Sequence, residues 1–468
     1  MTEYHTAIIG AGSGGITAAT GLTGFGKEVA IIEKHHIGGD CTNVGCVPSK
    51  TLLYLAKHME DQGLSPAQIL QKVRKRRNEL RDEETHWLKD VDKLSVYEAE
   101  AKFTDAHTLA LSTGESIKAQ NIIIASGSRA IRIPVEGLPE DKYLTNESLF
   151  DLEDLPEHLA IVGGGVIGVE MAFAFSTLGA KVTLIDLAPR ILSVLEPEVS
   201  SLISEVLTEK GVTIHTGTKG KHYDNKDATF YLDHDDEEIA LKKVDKVLVA
   251  IGRTPNLDLN LEKAEVEYGK RGISTDASHR TNVPNIYAIG DVDPASAFTH
   301  SANAQGRRVV QKIALPYVPL GKEATYPSAT FSSPEIGQVG PTLEKLKERY
   351  PAELIFTVHY DLRDTDRAYT QYLERGFVLI HAMRLTGRVL SATIVAPNAS
   401  EMIPLLTQAV NSRGRLYGLA GLVFPYPVLS EAIKKASDKF VFDTLPNVQR
   451  EVKVYLSNRW RRPKAKEE

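Results

Sequence analysis

The chain has 468 residues, of which 42% are hydrophobic and 25% are charged, and its formal net charge is -6. This length exceeds what one hydrophobic core supports, so we expect roughly two to four domains. The slightly acidic balance gives no general attraction to nucleic acid or to an anionic membrane. The first residues lack the features of a secretory signal, and no segment reaches the ~18 apolar residues of a membrane span. The sequence therefore predicts a cytoplasmic protein with no membrane span.

The chain begins with an apolar strand that runs into a glycine-rich turn and then a helix of small residues. The pattern G-x-G-x-x-G stands at Gly10, Gly12 and Gly15, and a second apolar strand, 29–32, ends in Glu33. The three glycines allow a tight turn, close approach of a pyrophosphate, and close packing of helix on strand. The helix N-terminus offers N–H groups to phosphate, and the acid accepts hydrogen bonds from a ribose. This pattern predicts a dinucleotide-binding unit.

The two cysteines of the chain, Cys41 and Cys46, lie in one six-residue window. A close pair in a chain without a secretory signal indicates redox chemistry or a metal rather than a structural staple. At the start of a helix this spacing places the sulfurs about one turn apart, close enough for a strained disulfide. The helix N-terminus and Lys50 would lower a thiolate pKa there. Zinc usually takes four ligands, and no second pair exists, so redox chemistry is favoured over zinc or two core cysteines.

The glycine pattern returns in the middle of the chain at Gly163, Gly165 and Gly168, again after an apolar strand. The next strand ends in Asp186, and both Asp186 and Glu33 lie 18 residues after the last glycine of their motif. A single copy of the motif has the plain alternative of a glycine turn. Two copies with the same flanking strands and the same register of the acid make that alternative small. The sequence therefore predicts two dinucleotide-binding domains.

The remaining segments carry no nucleotide motif. Residues 51–95 have a charged helical pattern, for which a solvated helix face is favoured over nucleic-acid binding. From about residue 324 the pattern changes, with strands predicted at 376–382 and 388–395 and a helix from Ser400. We interpret this part as a third unit. The basic end, 459–464, is predicted to be a solvated or disordered tail.

The run Gly38–Lys50 reads G-G-x-C-x-N-x-G-C-x-P-S-K. Together with the glycine motifs it resembles the pyridine nucleotide-disulfide oxidoreductases, which include lipoamide dehydrogenase, glutathione reductase and mercuric reductase. The resemblance extends over essentially the whole chain and implies an α/β fold, with two Rossmann-like dinucleotide-binding domains and a C-terminal α+β dimerisation domain. The implied domains are FAD-binding at 1–149 with a return at 273–323, NAD(P)-binding at 150–272, and dimerisation at 324–468.

The resemblance also implies roles for single residues. Electrons would pass from NAD(P)H through FAD to a Cys41–Cys46 disulfide, with Cys46 beside the flavin and Cys41 facing the acceptor. Lys50 and Glu170 would form an ion pair at the flavin edge. No resident metal is implied. The cofactor positions that the resemblance implies are Gly10, Gly12, Gly15, Glu33, Lys50, Gly127 and Asp291 for FAD, and Gly163, Gly165, Gly168, Asp186 and Gly252 for the nicotinamide nucleotide.

The acid of the second motif bears on the choice of nicotinamide nucleotide. A carboxylate at Asp186 suits the free 2′-hydroxyl of NADH and repels the 2′-phosphate of NADPH. Arg190 follows four residues later and would weaken that preference. The sequence favours NADH.

Near its C-terminus the chain departs from lipoamide dehydrogenase and glutathione reductase. Those enzymes take an acid/base histidine from the partner subunit, in a His-Pro pair that a following glutamate orients. Here Pro427 and Glu431 are present, but Tyr426 stands in place of the histidine. A phenol with an ordinary pKa of about 10 is a poor proton shuttle at neutral pH. The run Phe424–Tyr426 instead resembles mercuric reductase, and Tyr143 resembles that family's second active-site tyrosine, with a packed loop aromatic as the alternative.

Mercuric reductase is not matched completely either, because no cysteine follows Cys46 to deliver a metal. The favoured function is still mercuric-reductase-like: electrons from NADH reach a small oxidant or a soft ion, Hg(II) or Cu(II), held transiently by Cys41 and Cys46. The alternatives are a dihydrolipoamide dehydrogenase with Tyr426 replacing the histidine, and a flavin-bound redox sensor. Lys50 and Glu170, both intact, argue against the sensor. We expect a homodimer in which Tyr426 faces Cys41 of the other subunit.

Overall fold

The computed structural model describes residues 1–294 and 298–461. The last part of the predicted basic tail, beyond residue 461, lies outside the described residues. None of the helices within the described ranges combines the length and the apolarity that crossing a bilayer requires. The chain divides into two compact units, Met1–Leu187 with Gly211–Glu323, and Ala188–Lys210 with Ala324–Glu468.

The first part of the chain alternates strands and helices around one sheet. Its elements are β1 (Thr2–Ile9), α1 (Ser13–Gly24), β2 (Val29–Glu33), α2 (Gly39–Asn43), α3 (Cys46–Lys57), α4 (Pro66–Lys89), β3 (Leu94–Glu98), β4 (Ala101–Asp105), β5 (Thr108–Leu111), β6 (Ser116–Ile124), β7 (Ser128–Ala130), β8 (Tyr143–Leu144) and α5 (Asn146–Leu149). The predicted charged helix at 51–95 is thus two helices and the start of a strand. The break is explained by Ser65, which caps α4 in a reciprocal capping box with Gln68.

The second part repeats the strand–turn–helix plan and then returns to the first sheet. Its elements are β9 (His158–Val162), α6 (Val166–Thr177), β10 (Lys181–Ile185), α7 (Pro197–Glu209), β11 (Thr213–His215), β12 (Thr218–Asp224), β13 (Thr229–His234), β14 (Glu237–Leu241), β15 (Lys246–Val249), β16 (Arg253–Pro255), β17 (Tyr268–Gly269), β18 (Gly272–Ile273), β19 (Ile286–Ala288) and α8 (Thr299–Ala314).

Two sheets carry the two glycine motifs; the second is parallel, and the first is parallel except at its β6-β5-β4 edge. In the first sheet the strand order is β3-β2-β1-β6-β5-β4, and β19 also pairs with β6. In the second it is β11-β10-β9-β15-β8. The central strands β1, β2 and β9 each pair in parallel with a neighbour on both sides. Their apolar residues are therefore buried. Each motif therefore follows a strand in the middle of its sheet, where parallel α/β folds bind ligands.

The last part of the chain is an antiparallel sheet with helices packed on it. Its elements are β20 (Pro327–Thr330), β21 (Glu335–Val339), α9 (Leu343–Lys347), β22 (Ile355–Asp361), α10 (Asp366–Thr370), β23 (Phe377–Met383), β24 (Val389–Ala396), α11 (Ala399–Asn411), α12 (Leu416–Ala420), α13 (Glu431–Thr444) and α14 (Val448–Asn458). The strand order is β20-β21-β24-β23-β22, and α11 and α13 cover the sheet. The predicted two α/β halves followed by an α+β part are confirmed.

Helix α7 belongs to the second compact unit, although it follows the second glycine motif in sequence. Just before it, Glu196 accepts a hydrogen bond from the backbone N–H of Leu343 and lies 3.1 Å from the ring of His381. At its end Glu209 forms a two-bond ion pair with Arg375. Polar contacts at both ends of α7 thus join it to the antiparallel sheet.

Candidate active site

The first glycine turn joins β1 to α1 and leaves no room for side chains. Gly10 has φ +104°, and a Cβ there would overlap the carbonyl oxygen of Ala125. A Cβ at Gly15 would overlap the carbonyl oxygen of Gly10. Only glycine permits this close packing and this backbone conformation. Glu33, at the end of β2, accepts hydrogen bonds from the backbone N–H of Ala11 (2.8 Å) and of His35 (2.9 Å), which fixes its carboxylate beside the turn.

The second glycine turn, between β9 and α6, repeats this geometry. Gly163 has φ +119°, and a Cβ there would overlap the carbonyl oxygen of Ala250. A Cβ at Gly168 would overlap the carbonyl oxygen of Gly163. The backbone N–H of Gly164 donates to the carboxylate of Asp186, as that of Ala11 does to Glu33. The two turns thus share one geometry, a glycine turn beside a carboxylate fixed by a backbone N–H, as the predicted binding of two dinucleotides requires.

A cavity of ≈ 490 Å³ opens at the carboxyl end of the first sheet. That volume is within the range of about 300–1,000 Å³ usual for cofactor sites. Six of the residues lining it are Gly10, Gly12, Glu33, Cys41, Gly127 and Asp291. Three features of the cavity fit FAD. The glycine turn at Gly10 leaves no room for a Cβ, Glu33 is held where the resemblance places the ribose, and Cys41 lines the wall. Of the predicted FAD positions, all except Gly15 and Lys50 line this cavity.

Sequence reasoning missed one charged group on this cavity, centred on Arg253. Its Nε donates to the hydroxyl of Ser128 at 2.8 Å and lies 3.8 Å from the carboxylate of Asp291. Its Nη2 donates to the carboxylate of Asp40, and Ser128 in turn donates to Asp291. Burial raises the pKa of Asp40, and the guanidinium of Arg253 partly offsets that effect. The four residues of this group come from four separate segments of the chain. No local sequence motif therefore predicts their contacts.

The redox cysteines lie on two short consecutive helices. Cys41 is in α2, Cys46 is the first residue of α3, and the two are thiols in the structure. A hydrogen bond from the Cys41 thiol lowers the pKa of Cys46 to about 6, against burial, with further contributions from the hydroxyl of Thr299 and the charge of Lys50. The same hydrogen bond and burial raise the pKa of Cys41. The proton is therefore held on Cys41 and the thiolate forms on Cys46.

The predicted Lys50–Glu170 pair is present as an ion pair. Lys50 lies one helical turn after Cys46 on α3, and its Nζ is 2.7 Å from the carboxylate of Glu170 on α6. The side chain of Glu170 is only 4% exposed, whereas that of Lys50 is 33% exposed. A buried carboxylate without a cation would be strongly disfavoured. The pair therefore connects the cysteine helix to the helix of the second glycine motif.

We expect the reduced enzyme to react with iodoacetamide at Cys46 with an apparent pKa of about 6. Because this pKa is lowered, the thiolate is present at neutral pH and is lost as the pH falls through that value. Tandem mass spectrometry of the alkylated peptide measures the rate at Cys46. The variant Cys41→Ala should move the profile to higher pH because the hydrogen bond is lost, whereas Cys41→Ser should keep it low. A wild-type profile centred near the ordinary thiol value of about 8.5 would contradict this assignment.

In the second unit Tyr426 lies in the loop before α13, and its side chain is exposed. Its hydroxyl donates to the carboxylate of Asp366 at 2.6 Å. That hydrogen bond and the charges of Asp366 and Glu431 raise the pKa of Tyr426, so the phenol stays protonated at neutral pH. Glu431, which the resemblance assigns to this position, lies 3.7 Å from Lys435. Asp366 stands 60 residues before Tyr426 and was not singled out from sequence.

Substituting Asp366 by asparagine should lower the pKa of Tyr426, because a neutral amide stabilises the phenol less than a carboxylate does. Carbon-13 NMR of protein labelled in its tyrosine rings follows this titration, and Tyr426→Phe assigns the signal. Asp364→Asn is the control, since Asp364 is a neighbouring acid without a hydrogen bond to Tyr426. An unchanged titration in Asp366→Asn would mean that the contact is not formed in solution.

Tyr143, the second tyrosine of the mercuric-reductase resemblance, lies in the first unit and is buried. Its hydroxyl accepts a hydrogen bond from the backbone N–H of Ile133 at 3.0 Å. The guanidinium of Arg132 lies 4.5 Å from the centre of its ring. These contacts favour the alternative of a packed loop aromatic.

Comparison with known proteins agrees with this site. Residues 4–306 match the family described as pyridine nucleotide-disulphide oxidoreductase, and residues 326–437 match the dimerisation domain of that family. Dihydrolipoyl dehydrogenase of Geobacillus stearothermophilus is 31% identical over 93% of this chain and 96% of its own. Mercuric reductase of Bacillus cereus is 33% identical over 93% of this chain and 71% of its own.

A solved structure extends the likeness to three dimensions. The Cu(II) complex of the HOCl-induced flavoprotein disulfide reductase RclA from Escherichia coli has a TM-score of 0.85 and 28% identity, covering 94% of this chain and all of that chain. Fold and site together define an FAD-dependent disulfide oxidoreductase. The chain belongs to the pyridine nucleotide-disulphide oxidoreductases and carries their dimerisation domain. The predicted family, fold class and FAD cofactor are confirmed.

Proposed function

We propose that this protein uses NADH to reduce a soft metal ion, with Cu(II) as the leading acceptor, through FAD and the Cys41–Cys46 pair. The observation that carries the proposal is the Tyr426–Asp366 hydrogen bond. Reduction of a disulfide acceptor to a dithiol needs a group that moves protons at neutral pH, and a phenol hydrogen-bonded to a carboxylate is unsuited to that role. The Cu(II) complex of the RclA structure supports this choice of acceptor.

A metal acceptor removes the need for the missing histidine. Oxidation of the Cys41 thiol and the Cys46 thiolate forms the disulfide, releases the one proton held on Cys41, and delivers two electrons, which reduce two Cu(II) to two Cu(I). No sulfur leaving group has to be protonated, in contrast to exchange with a disulfide substrate. The thiolate of Cys46 and the accessible thiol of Cys41 are ligands of the soft kind that Cu(I) prefers. Within the described residues no other group of three or more His, Cys, Asp or Glu side chains could hold a metal ion.

The chain's own residues have distinct tasks in this scheme. FAD, when bound in the cavity, supplies the two-electron connection between the nicotinamide and the cysteine pair. Glu33 and Asp291 hold that cofactor, and Lys50 stabilises the thiolate of Cys46. Cys41 keeps its proton until the acceptor arrives. We place the nicotinamide nucleotide on the second glycine motif, beside Asp186.

The proposal includes a homodimer in which Tyr426 of one subunit lies beside Cys41 of the other. The dimerisation domain matched at residues 326–437 supports it. Purified mixed dimers of Cys41→Ser and Tyr426→Phe chains test it, since one of their two sites would be intact and activity would be half that of the wild type. Activity equal to the mean of the two parent dimers would place both residues of a site in one chain.

The acceptor is tested by anaerobic reduction of the purified FAD-loaded protein with one equivalent of NADH, followed by rapid mixing with Cu(II), Hg(II) or lipoamide. Fast reoxidation by Cu(II), with no response to lipoamide, is expected. Cys41→Ser controls for unspecific reduction of the metal. Fast reoxidation by lipoamide would overturn the proposal in favour of a dihydrolipoamide dehydrogenase that works without the usual histidine. A lack of turnover with every acceptor would favour the redox sensor.

Asp186→Ala should shift the cofactor preference from NADH toward NADPH. Removing the carboxylate removes its repulsion of the 2′-phosphate, so the ratio of kcat/KM for NADPH to that for NADH should rise about tenfold or more. Initial rates with each nucleotide and a fixed acceptor measure the ratio. Asp227→Ala, an exposed acid on a turn elsewhere, should leave it unchanged. A wild-type preference for NADPH would contradict the assignment of NADH.

A further inference from the structure

The C-terminal helix α14 buries polar side chains and exposes apolar ones. Glu451 is 1% exposed and Asn458 is 7% exposed, whereas Val448, Val452 and Leu456 are 46%, 37% and 49% exposed. A helix on the surface of a globular protein normally has the opposite orientation, with its apolar face toward the core. The outer face of α14 is therefore suited to a contact that the single chain does not provide.

The exposed apolar side chains form one continuous strip. The C-terminal strip consists of Phe442, Leu445, Val448, Val452, Leu456 and Trp460, all of which are exposed. Val448, Val452 and Leu456 are four residues apart, the spacing that places side chains on one face of α14, and the other members lie just before and just after this helix. Each turn of α14 contributes one exposed apolar side chain, so the apolar face is narrow. A face of this width suits contact with one other helix, whereas a membrane-binding helix has a broader apolar face.

Ion pairs fix the strip on the outside of its unit. The buried carboxylate of Glu451 accepts from Arg384 at 2.8 Å and from Arg450 at 2.9 Å. Near the end of the helix Arg461 lies 3.7 Å from Glu353. A buried carboxylate held by cations is costly to separate from them, so the helix does not readily turn its apolar face inward.

We propose that the C-terminal strip packs against a second copy of this chain and extends the dimer interface beyond the family's dimerisation domain. That domain is matched as far as residue 437, which lies within α13, and Phe442 lies further along α13. The strip thus begins on the same helix in which the matched dimerisation domain ends. The narrow apolar face of α14 favours a protein surface over a lipid surface. This inference rests on the proposed homodimer.

Subunit exchange of the FAD-loaded protein tests the strip. Dimers labelled with a donor dye are mixed with dimers labelled with an acceptor dye, and energy transfer reports the exchange rate. Val452→Glu combined with Leu456→Glu should speed exchange at least ~10-fold, because interface changes act mainly on dissociation. Lys453→Glu is the matched control, since it makes the same change in net charge on an exposed position of the same helix and should leave exchange unchanged. Flavin content and the thermal midpoint confirm that each variant is folded.

Trp460 gives a second readout that does not depend on the strength of the dimer. In a Trp87→Phe background it is the single tryptophan. Its fluorescence should be shielded from iodide in the dimer and become accessible in the Val452→Glu/Leu456→Glu variant.

The strip inference would be wrong if iodide quenched Trp460 freely in a wild-type protein of dimer mass and the Val452→Glu/Leu456→Glu variant exchanged subunits at the wild-type rate. The homodimer would be unaffected by that result. Flotation of the wild type with phosphatidylglycerol vesicles, with unchanged exchange, would assign the strip to a membrane instead. A native mass of one chain would remove the homodimer itself.

Discussion

Replacing Cys46 by serine is expected to reduce NADH-dependent Cu(II) reduction by at least ~1,000-fold, because a serine hydroxyl neither ionises at neutral pH nor forms a disulfide. The structure gives Cys46 the lowered pKa of about 6 and leaves the proton on Cys41. Stopped-flow measurement of Cu(I) formation, with a colorimetric Cu(I) chelator, gives the rate.

The matched variant Cys41→Ser should lose turnover to a similar extent but keep a reactive thiolate at Cys46. The two serine variants thus differ in alkylation by iodoacetamide although both fail in turnover. If Cys46→Ser retained rapid Cu(II) reduction, electrons would be leaving the protein without passing through the cysteine pair. FAD content should be the same in both variants, since neither removes a glycine-turn or acid contact to the cofactor.

Replacing Lys50 by methionine is expected to destabilise the protein by about 2–3 kcal/mol. The loss leaves the carboxylate of Glu170, 4% exposed, without its cation, and the partial exposure of Lys50 makes the effect smaller than for a fully buried pair. The same change should raise the pKa of Cys46, because Lys50 is one of the groups that lower it. Urea unfolding and the pH profile of alkylation measure the two effects.

A double substitution separates stability from chemistry. Lys50→Met combined with Glu170→Gln should recover most of the stability, because no buried charge is left, while the pKa of Cys46 should fall only part of the way back, because Glu170 raises it less than Lys50 lowers it. Lys50→Arg should keep both properties near those of the wild type. Full stability in the single Lys50→Met variant would show that Glu170 does not depend on this cation.

The parts of the site that could be predicted from sequence are those whose signal is local. The glycine turns, Glu33 and Asp186 follow from spacing within one strand–turn–helix segment, and the two sheets place them as that spacing requires. The cysteine pair was predictable for the same reason, since Cys41 and Cys46 are only five residues apart in the chain. The two dinucleotide-binding domains followed from the repeated strand–turn–helix pattern, whereas the α+β dimerisation domain was implied by the resemblance to the family.

Other parts depend on packing between distant segments. The contact of Tyr426 with Asp366 joins two loops, and Arg253 meets Asp40 only because a strand end and a short helix converge on the cavity. The periodicity of α14 shows an apolar face but not that this face points outward, which is decided by the buried pairs of Glu451. Helix α7 follows the second nucleotide motif in sequence, yet polar contacts at its ends join it to the antiparallel sheet.

The unequal sharing of one proton between the two cysteines has a consequence for the proposed metal acceptor. At neutral pH the reduced pair carries one negative charge, since Cys46 is a thiolate and Cys41 is not. A metal ion bound by both sulfurs therefore displaces one proton rather than two, and its affinity rises about tenfold per pH unit rather than a hundredfold. Below the pKa of Cys46 both sulfurs are protonated, so the metal affinity changes about a hundredfold per pH unit. Acidification would thus release a metal ion bound by both sulfurs gradually at first and sharply below the pKa of Cys46.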